Sequence, residues 1–131
     1  MTDMKLELVP IPVTDVDRSK AFYEKIGFNL DVDVRPTESM RVVQLTPPGS
    51  ACSIVLGTGM PEISDMKPGS VKGLHLVVDD IKAARSELVN QGLEVGEVTE
   101  FGGVQYAQFN DPDGNLWLLQ HIPPDFKRPP A

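Results

Sequence analysis

The stretch Ile11–Phe28, which reads IPVTDVDRSKAFYEKIGF, predicts the end of a strand, a capped helix and a glycine stop. Thr14 or Asp15 can cap this helix, because a short polar side chain accepts hydrogen bonds from the first helical turn. Gly27 stands where a residue with left-handed backbone commonly ends a helix. This order of signals decides the fold, because the chain contains it twice.

The second copy follows the first at a constant offset and without a gap. The matching segments agree in residue type and order: Val13–Val16 with Val78–Ile81, Gly27–Phe28 with Gly92–Leu93, and Thr46–Ser50 with Asp111–Asn115. An internal repeat sets the architecture and is therefore interpreted before any single element. Each copy is too short to bury a good core alone, which predicts two modules that fold together.

Each copy predicts a βαβββ module, and the two modules together form an α+β fold. The predicted strands are 6–13, 29–34, 40–46 and 52–57 in the first copy and 73–78, 94–97, 105–110 and 116–122 in the second. The chain is interpreted as one domain over 1–131, with modules at 5–57 and 71–122, a linker at 58–70 and a proline-rich tail at 123–131. Pro10 and Pro12 lack backbone donors, so the first strand should lie at a sheet edge or belong to a ladder in which the amides at these positions face outward.

One helix can cover only one face of a four-stranded sheet. We therefore expect two curved mixed sheets whose remaining faces form a trough, a shape that suits a small ligand. A closed two-fold pair is the commonest oligomer, and we expect a homodimer.

Composition excludes several classes of function. A net charge of −7 argues against nucleic acid or an anionic membrane as a partner. No apolar run is long enough for a membrane span, and the start of the chain lacks the pattern of a secretory signal. Cys52 is the only cysteine, so an intrachain disulfide is impossible. We expect a cytoplasmic protein.

Three segments carry a resemblance to a known family: IPVTDVDRSKAFYEKIGF at 11–28, LHLVVDDIKAARSELVNQG at 74–92, and FNDPDGNLWLLQ at 109–120. With the repeat order, they resemble the vicinal oxygen chelate superfamily, which includes glyoxalase I, extradiol dioxygenases and bleomycin-binding proteins. The resemblance implies the paired-module fold. It does not imply one reaction, because one fold can support many functions.

The resemblance also implies four metal-ligand positions, which the metal-dependent members fill with histidine, glutamine or glutamate. The corresponding positions here are Leu8, Ser53 or Val55, Gly73 and Leu118. Leucine, valine and glycine offer no side-chain donor, and a serine hydroxyl replaces a carboxylate poorly. We therefore expect no metal site and no cofactor.

His75 is the single candidate for catalysis, because it lies two residues after Gly73 and shares its strand face. It could act as a general base or bond a ligand carbonyl, or it could be an ordinary strand histidine. Aromatic rings and amides on the strands suit a flat ligand. The predicted ligand-binding set is Leu8, Pro10, Arg41, Gln44, Ser53, Val55, Gly73, His75, Tyr106, Phe109, Leu118 and Gln120.

These observations favour a metal-free binding protein that sequesters a small apolar or aromatic natural product, of the kind that antibiotic-resistance members of the family represent. The alternative is a glyoxalase-like lyase or isomerase, or a dioxygenase, with an atypical site that uses His75. A third interpretation is a structural or regulatory dimer with an incidental cavity.

Overall fold

The computed structural model describes residues 1–126 and shows an α+β fold with two mixed four-stranded sheets. The chain divides into two compact units. The first contains Met1–Val71 together with Asp111–Asn115, and the second contains Lys72–Asn110 and the described residues from Leu116 onward. No helix in residues 1–126 is long and apolar enough to cross a membrane.

The first unit has the predicted βαβββ order. Its elements are β1 (Leu8–Pro10), α1 (Val16–Lys25), β2 (Asn29–Thr37), β3 (Met40–Thr46), β4 (Ser53–Thr58) and a short 3-10 helix (Ile63–Asp65). The strand order is β1-β4-β3-β2, with β1 parallel to β4 and the other pairs antiparallel. The strand that carries Pro10 lies at the edge, as the missing donors predicted.

The second unit repeats this order. Its elements are β5 (Lys72–Val77), α2 (Ile81–Asn90), β6 (Thr99–Phe101), β7 (Val104–Asn110) and β8 (Leu116–His121). The strand order is β5-β8-β7-β6, and β5 runs parallel to β8. The repeat in the sequence therefore corresponds to a repeat in sheet topology.

The two helices begin and end at equivalent residues. The carboxylate of Asp15 accepts a hydrogen bond from the amide of Arg18 at the start of α1, and Asp80 does the same for Ala83 in α2. Gly27 follows α1 with φ +108° and Gly92 follows α2 with φ +93°, as predicted for helix stops.

The prediction of a strand at 94–97 is wrong, because β6 lies at Thr99–Phe101 instead. The guanidinium of Arg85 donates to the carbonyls of Val95 and Gly96 at 2.9 and 2.8 Å, so these carbonyls bond a side chain rather than a neighbouring strand. Only the amide of Gly96 bonds β7, at the carbonyl of Gln108. The segment therefore runs beside the sheet without joining it.

Smaller differences concern the ends of elements. The strand predicted at 6–13 is shortened to β1, and the predicted linker at 58–70 contains the 3-10 helix and belongs to the first unit. The part of the predicted tail at 127–131 lies outside the described residues.

Each sheet carries its most deeply buried side chains on one face, and alternation along the strands determines which residues these are. In the first unit Val43, Leu45 and Leu56 are fully buried on one face. In the second unit the corresponding face carries Trp117 and Leu119, which are both 3% exposed. The other face of each sheet carries the remaining strand residues and is called here the open face.

Arg41 joins β3 to α1 and β2 on the buried face of the first unit. Its guanidinium donates twice to the carboxylate of Asp33, at 3.0 Å each, and once to Asp17 at 2.7 Å. Lys20 also donates to Asp33, at 2.8 Å. These bonds from Arg41 and Lys20 hold the pKa of Asp33 well below its usual range, and the carboxylates of Asp33 and Asp17 raise the pKa of Arg41.

Candidate functional site

The open face of the second sheet brings together five residues of the predicted ligand-binding set. The register pairs His75 with Leu118 and Gln120 with Tyr106, so these side chains share a face. Gly73 precedes them on β5, at an irregularity of the β5–β8 pairing. Val77 on the same face is 64% exposed, which shows that this end of the sheet is uncovered.

A cavity of about 300 Å³ lies against this face, within the second unit. Its lining residues are Gly96, Glu97, Thr99, Tyr106, Ala107, Gln108 and Leu118. The volume is at the lower end of the range for small-molecule sites, which are mostly apolar with a few polar groups. Tyr106 and Leu118 supply the apolar surface and were predicted from the sequence.

The cavity also contains polar groups that the sequence analysis missed. The side chains of Gln108 and Thr99 and the hydroxyl of Tyr106 have no hydrogen-bond partner among residues 1–126. A ligand could therefore pair with them without displacing a protein contact. Gln108 was detectable in the sequence, because it lies two residues from Tyr106 and must share its face.

His75 borders the cavity rather than lining it. Its ring meets the ring of Tyr106 edge to face, with centroids 6.0 Å apart, and its Nδ1 lies 2.6 Å from the carbonyl oxygen of Gly73. The residue is exposed. His75 is thus fixed in orientation and remains reachable from solvent.

The open face of the first sheet brings together the other predicted residues. The register places Leu8 beside Ser53, and Val55 between Pro10 and Gln44. Val55 and Ser53 are 2% and 5% exposed, whereas Leu8 is 37% exposed. These five side chains lie together on one face of the sheet, but two of them, Ser53 and Val55, are buried.

The Ser53 hydroxyl belongs to a short polar chain. It lies 2.6 Å from Oγ1 of Thr46, which in turn donates to the carboxylate of Asp31. Because the Thr46 proton is used on Asp31, Ser53 donates to Thr46. The hydroxyl proton of Ser53 is therefore already engaged within the protein.

Two residues of the predicted set lie on the wrong face. Arg41 alternates in phase with Val43 and points to the buried side, where it pairs with Asp33 and Asp17. Phe109 is 2% exposed and stacks on Trp117, with centroids 6.3 Å apart and ring planes at 6°. Both are packing residues on faces that do not carry the other predicted site residues.

The positions that correspond to the family's metal ligands do not fit a metal ion. Leu8, Gly73 and Leu118 have no side-chain donor, and the fourth position is Ser53 or Val55, of which only the serine offers a donor, a neutral hydroxyl that replaces a carboxylate poorly. Within residues 1–126, no three His, Cys, Asp or Glu side chains are grouped so that they could hold an ion. We therefore derive no chemistry from a metal at this site.

Comparisons with known proteins agree with this fold. The family model described as "Glyoxalase/Bleomycin resistance protein/Dioxygenase superfamily" matches residues 5–119. Among curated proteins, the chain is 26% identical over 115 residues to the uncharacterized protein YetH of Bacillus subtilis (strain 168), covering 86% of this chain and 93% of YetH.

Two solved structures from Streptomyces sp. CB03234 are similar over most of their length. One is TnmS3, described as an antibiotic binding protein, with 35% identity, a TM-score of 0.82 and coverage of 94% of this chain and 99% of TnmS3. The other is described as a glyoxalase/bleomycin resistance protein, with 36% identity, a TM-score of 0.74 and coverage of 88% and 98%.

Proposed function

Because this chain belongs to the glyoxalase/bleomycin resistance protein/dioxygenase superfamily, we propose that it binds a small apolar or aromatic natural product and sequesters it without a metal ion. One observation carries the proposal. Aliphatic residues and a glycine stand at three of the family's four metal-ligand positions, and a cavity of about 300 Å³ lies beside one of them, Leu118.

The energetics support capture of a flat apolar molecule. Burying about 300 Å² of apolar ligand surface contributes several kcal/mol at about 25 cal/mol/Å², from which the costs of association are subtracted. Tyr106 offers an aromatic surface, and Gln108 and Gln120 offer groups that can donate or accept at the edge of the ligand. Similarity to a protein described as antibiotic binding makes an antibiotic a reasonable first ligand.

Isothermal titration calorimetry with a panel of planar polycyclic natural products tests the proposal. We expect at least one compound to bind with a micromolar or lower Kd and one molecule per chain. A panel without a micromolar binder would overturn sequestration of this ligand class. A cavity filled by the protein's own side chains in a crystal structure would instead favour the structural or regulatory interpretation.

A second candidate is catalysis at His75, as a lyase or isomerase, or a dioxygenase, of the same superfamily. The observation that favours it is the bond between Nδ1 of His75 and Gly73, which orients the imidazole and leaves its second nitrogen without a partner in residues 1–126. An assay of hemithioacetal isomerisation distinguishes the two functions. Turnover that is lost in His75→Ala would support the enzyme, and absence of turnover would favour the binder.

We further propose a homodimer that acts in the cytoplasm. The edge strand β2 exposes Leu30 and Val34, at 40% and 48%, which is apolar surface that a second copy could cover. Light scattering on the purified protein tests the dimer. A molar mass of one chain, both at the working concentration and after 100-fold dilution, would contradict the dimer.

A further inference from the structure

Gly73 forms a bulge at the start of β5. The register pairs Lys72 with Leu116 and Leu74 with Trp117, so Gly73 is an extra residue between them. Its φ is +90°, a backbone conformation that side-chain-bearing residues rarely adopt, while a Cβ there would meet no atom within 4 Å. Backbone conformation, rather than lack of space, therefore requires glycine at this position.

The carbonyl of Gly73 fixes the tautomer of His75. A backbone carbonyl can only accept, so Nδ1 of His75, at 2.6 Å, must carry the hydrogen. In a neutral imidazole the other nitrogen, Nε2, is then an acceptor. Nε2 has no hydrogen-bond partner among residues 1–126. The bulge at Gly73 therefore orients His75 so that Nε2 is an unpaired acceptor on the open face of the second sheet.

This acceptor lies next to the proposed ligand cavity. His75 is paired in register with Leu118 and touches the ring of Tyr106, and both of these residues line the cavity. Glu97, another lining residue, has a side chain that is 90% exposed and lies 3.5 Å from the guanidinium of Arg85, with which it forms an ion pair. The glutamine, threonine and tyrosine groups around them can either donate or accept.

We propose that His75 selects ligands that carry a hydroxyl group, such as a phenol or an enol, and accepts the hydroxyl hydrogen at Nε2. The inference rests on the proposed function, because it concerns a ligand of the same cavity. A ligand that presents only an ether or carbonyl oxygen cannot donate to this nitrogen and leaves it to water, since His75 is exposed. The net charge of −7 further favours a neutral hydroxylated molecule over an anion.

A matched pair of planar probes tests this selection. 6-Hydroxyflavone and 6-methoxyflavone have the same three rings, and a methyl group in the second replaces the hydroxyl hydrogen of the first. Calorimetry at pH 7.5 gives the affinity of each compound. We expect the wild type to prefer the hydroxyl compound about 3- to 10-fold, the value of one ordinary hydrogen bond. His75→Phe should bring the ratio of the two affinities close to one, and His75→Gln, which restores an acceptor, should recover part of the preference.

Nitrogen-15 NMR of the imidazole gives a second test that does not depend on ligand affinity. For the neutral imidazole we expect a proton on Nδ1 and none on Nε2 of His75 in the wild type, and a mixture of tautomers in Gly73→Ala, where the strained backbone displaces the carbonyl. A neutral imidazole that carries its proton on Nε2 in the wild type would overturn the inference.

The outcomes separate this inference from the function beneath it. Equal affinity for both flavones, or a preference that survives in His75→Phe, overturns hydroxyl selection and leaves sequestration standing. If neither flavone and no compound of the natural-product panel binds, hydroxyl selection and sequestration are both overturned.

Discussion

The phenol of Tyr23 donates a 2.8 Å hydrogen bond to Oδ2 of Asp111, which lies 88 residues further along the chain. Tyr23 is fully buried in α1, and Asp111 is 5% exposed at the start of the turn that belongs to the same compact unit. Asn115 in this turn donates to Asp111 and to the carbonyl of Pro12. The turn is therefore fixed to the first unit by buried polar contacts.

Tyr23→Phe should destabilise the protein by about 1–2 kcal/mol, because a buried charged acceptor loses one donor. Urea unfolding followed by circular dichroism measures the change. Tyr106→Phe is the matched control, since that hydroxyl has no partner in residues 1–126 and its loss should cost less than about 0.5 kcal/mol. Equal shifts of the two midpoints would contradict the role given to the Tyr23 hydroxyl.

Asp33→Asn should destabilise the protein by about 1–3 kcal/mol at pH 7, because the side chain of Arg41 is 10% exposed and loses its bidentate partner. Asp65→Asn, at an exposed residue outside the ion pairs of the described chain, is the control. Thermal unfolding at pH 7 measures both. A cost for Asp33→Asn no larger than that of Asp65→Asn would exclude a contribution from the ion pair.

The same ion pairs predict how stability depends on pH. Arg41 and Lys20 depress the pKa of Asp33, so its contribution is complete above the unfolded value of about 3.9 and is lost as pH falls through the lower folded value. We expect the stability of the wild type to fall more steeply below pH 4 than that of Asp33→Asn. If the stability of the two proteins falls equally steeply below pH 4, the ion pairs of Asp33 do not cause the pH dependence.

Leu118→Trp should weaken ligand binding by at least 10-fold, because the larger side chain fills part of the cavity. Leu116→Trp is the matched control, since Leu116 lies two residues away on the same strand and does not line the cavity. Calorimetry with the best compound of the panel measures both. Similar losses in both variants would point to general disturbance of the sheet instead.

Chelation should leave ligand binding unchanged. Purified protein incubated with Ni²⁺, Zn²⁺ or Mn²⁺ and then dialysed should retain well under one ion per chain by elemental analysis, because Leu8, Gly73 and Leu118 provide no donor. A known zinc enzyme treated in parallel is the positive control. Stoichiometric metal that survives dialysis, or an affinity that falls in EDTA, would be incompatible with this interpretation.

The sequence determined most of the fold because its signals are local. Single capping residues and glycines mark the helix ends, at Asp15, Gly27, Asp80 and Gly92. Because the sequence repeats, each helix predicted in one module also predicts its counterpart in the other. In the segment predicted as a strand at 94–97, the carbonyls of Val95 and Gly96 accept instead from the side chain of Arg85, which lies on α2. No pattern within that segment reveals such a competitor.

The candidate site was less predictable because strand facing decides it. Alternation already shows that Gln44 and Arg41 cannot share a face, nor can Tyr106 and Phe109, so two errors were avoidable from the sequence. The sequence could not show that Gly73 adopts a positive φ and bonds His75, since this depends on the pairing of β5 with β8.

A crystal structure of the protein with the tightest compound of the panel tests the central claim most directly. We predict density for the ligand on the open face of the second sheet, in contact with Tyr106 and Leu118, and no cation bound by protein side chains. A divalent ion coordinated by side chains of this chain, with the ligand bound through that ion, would contradict the account.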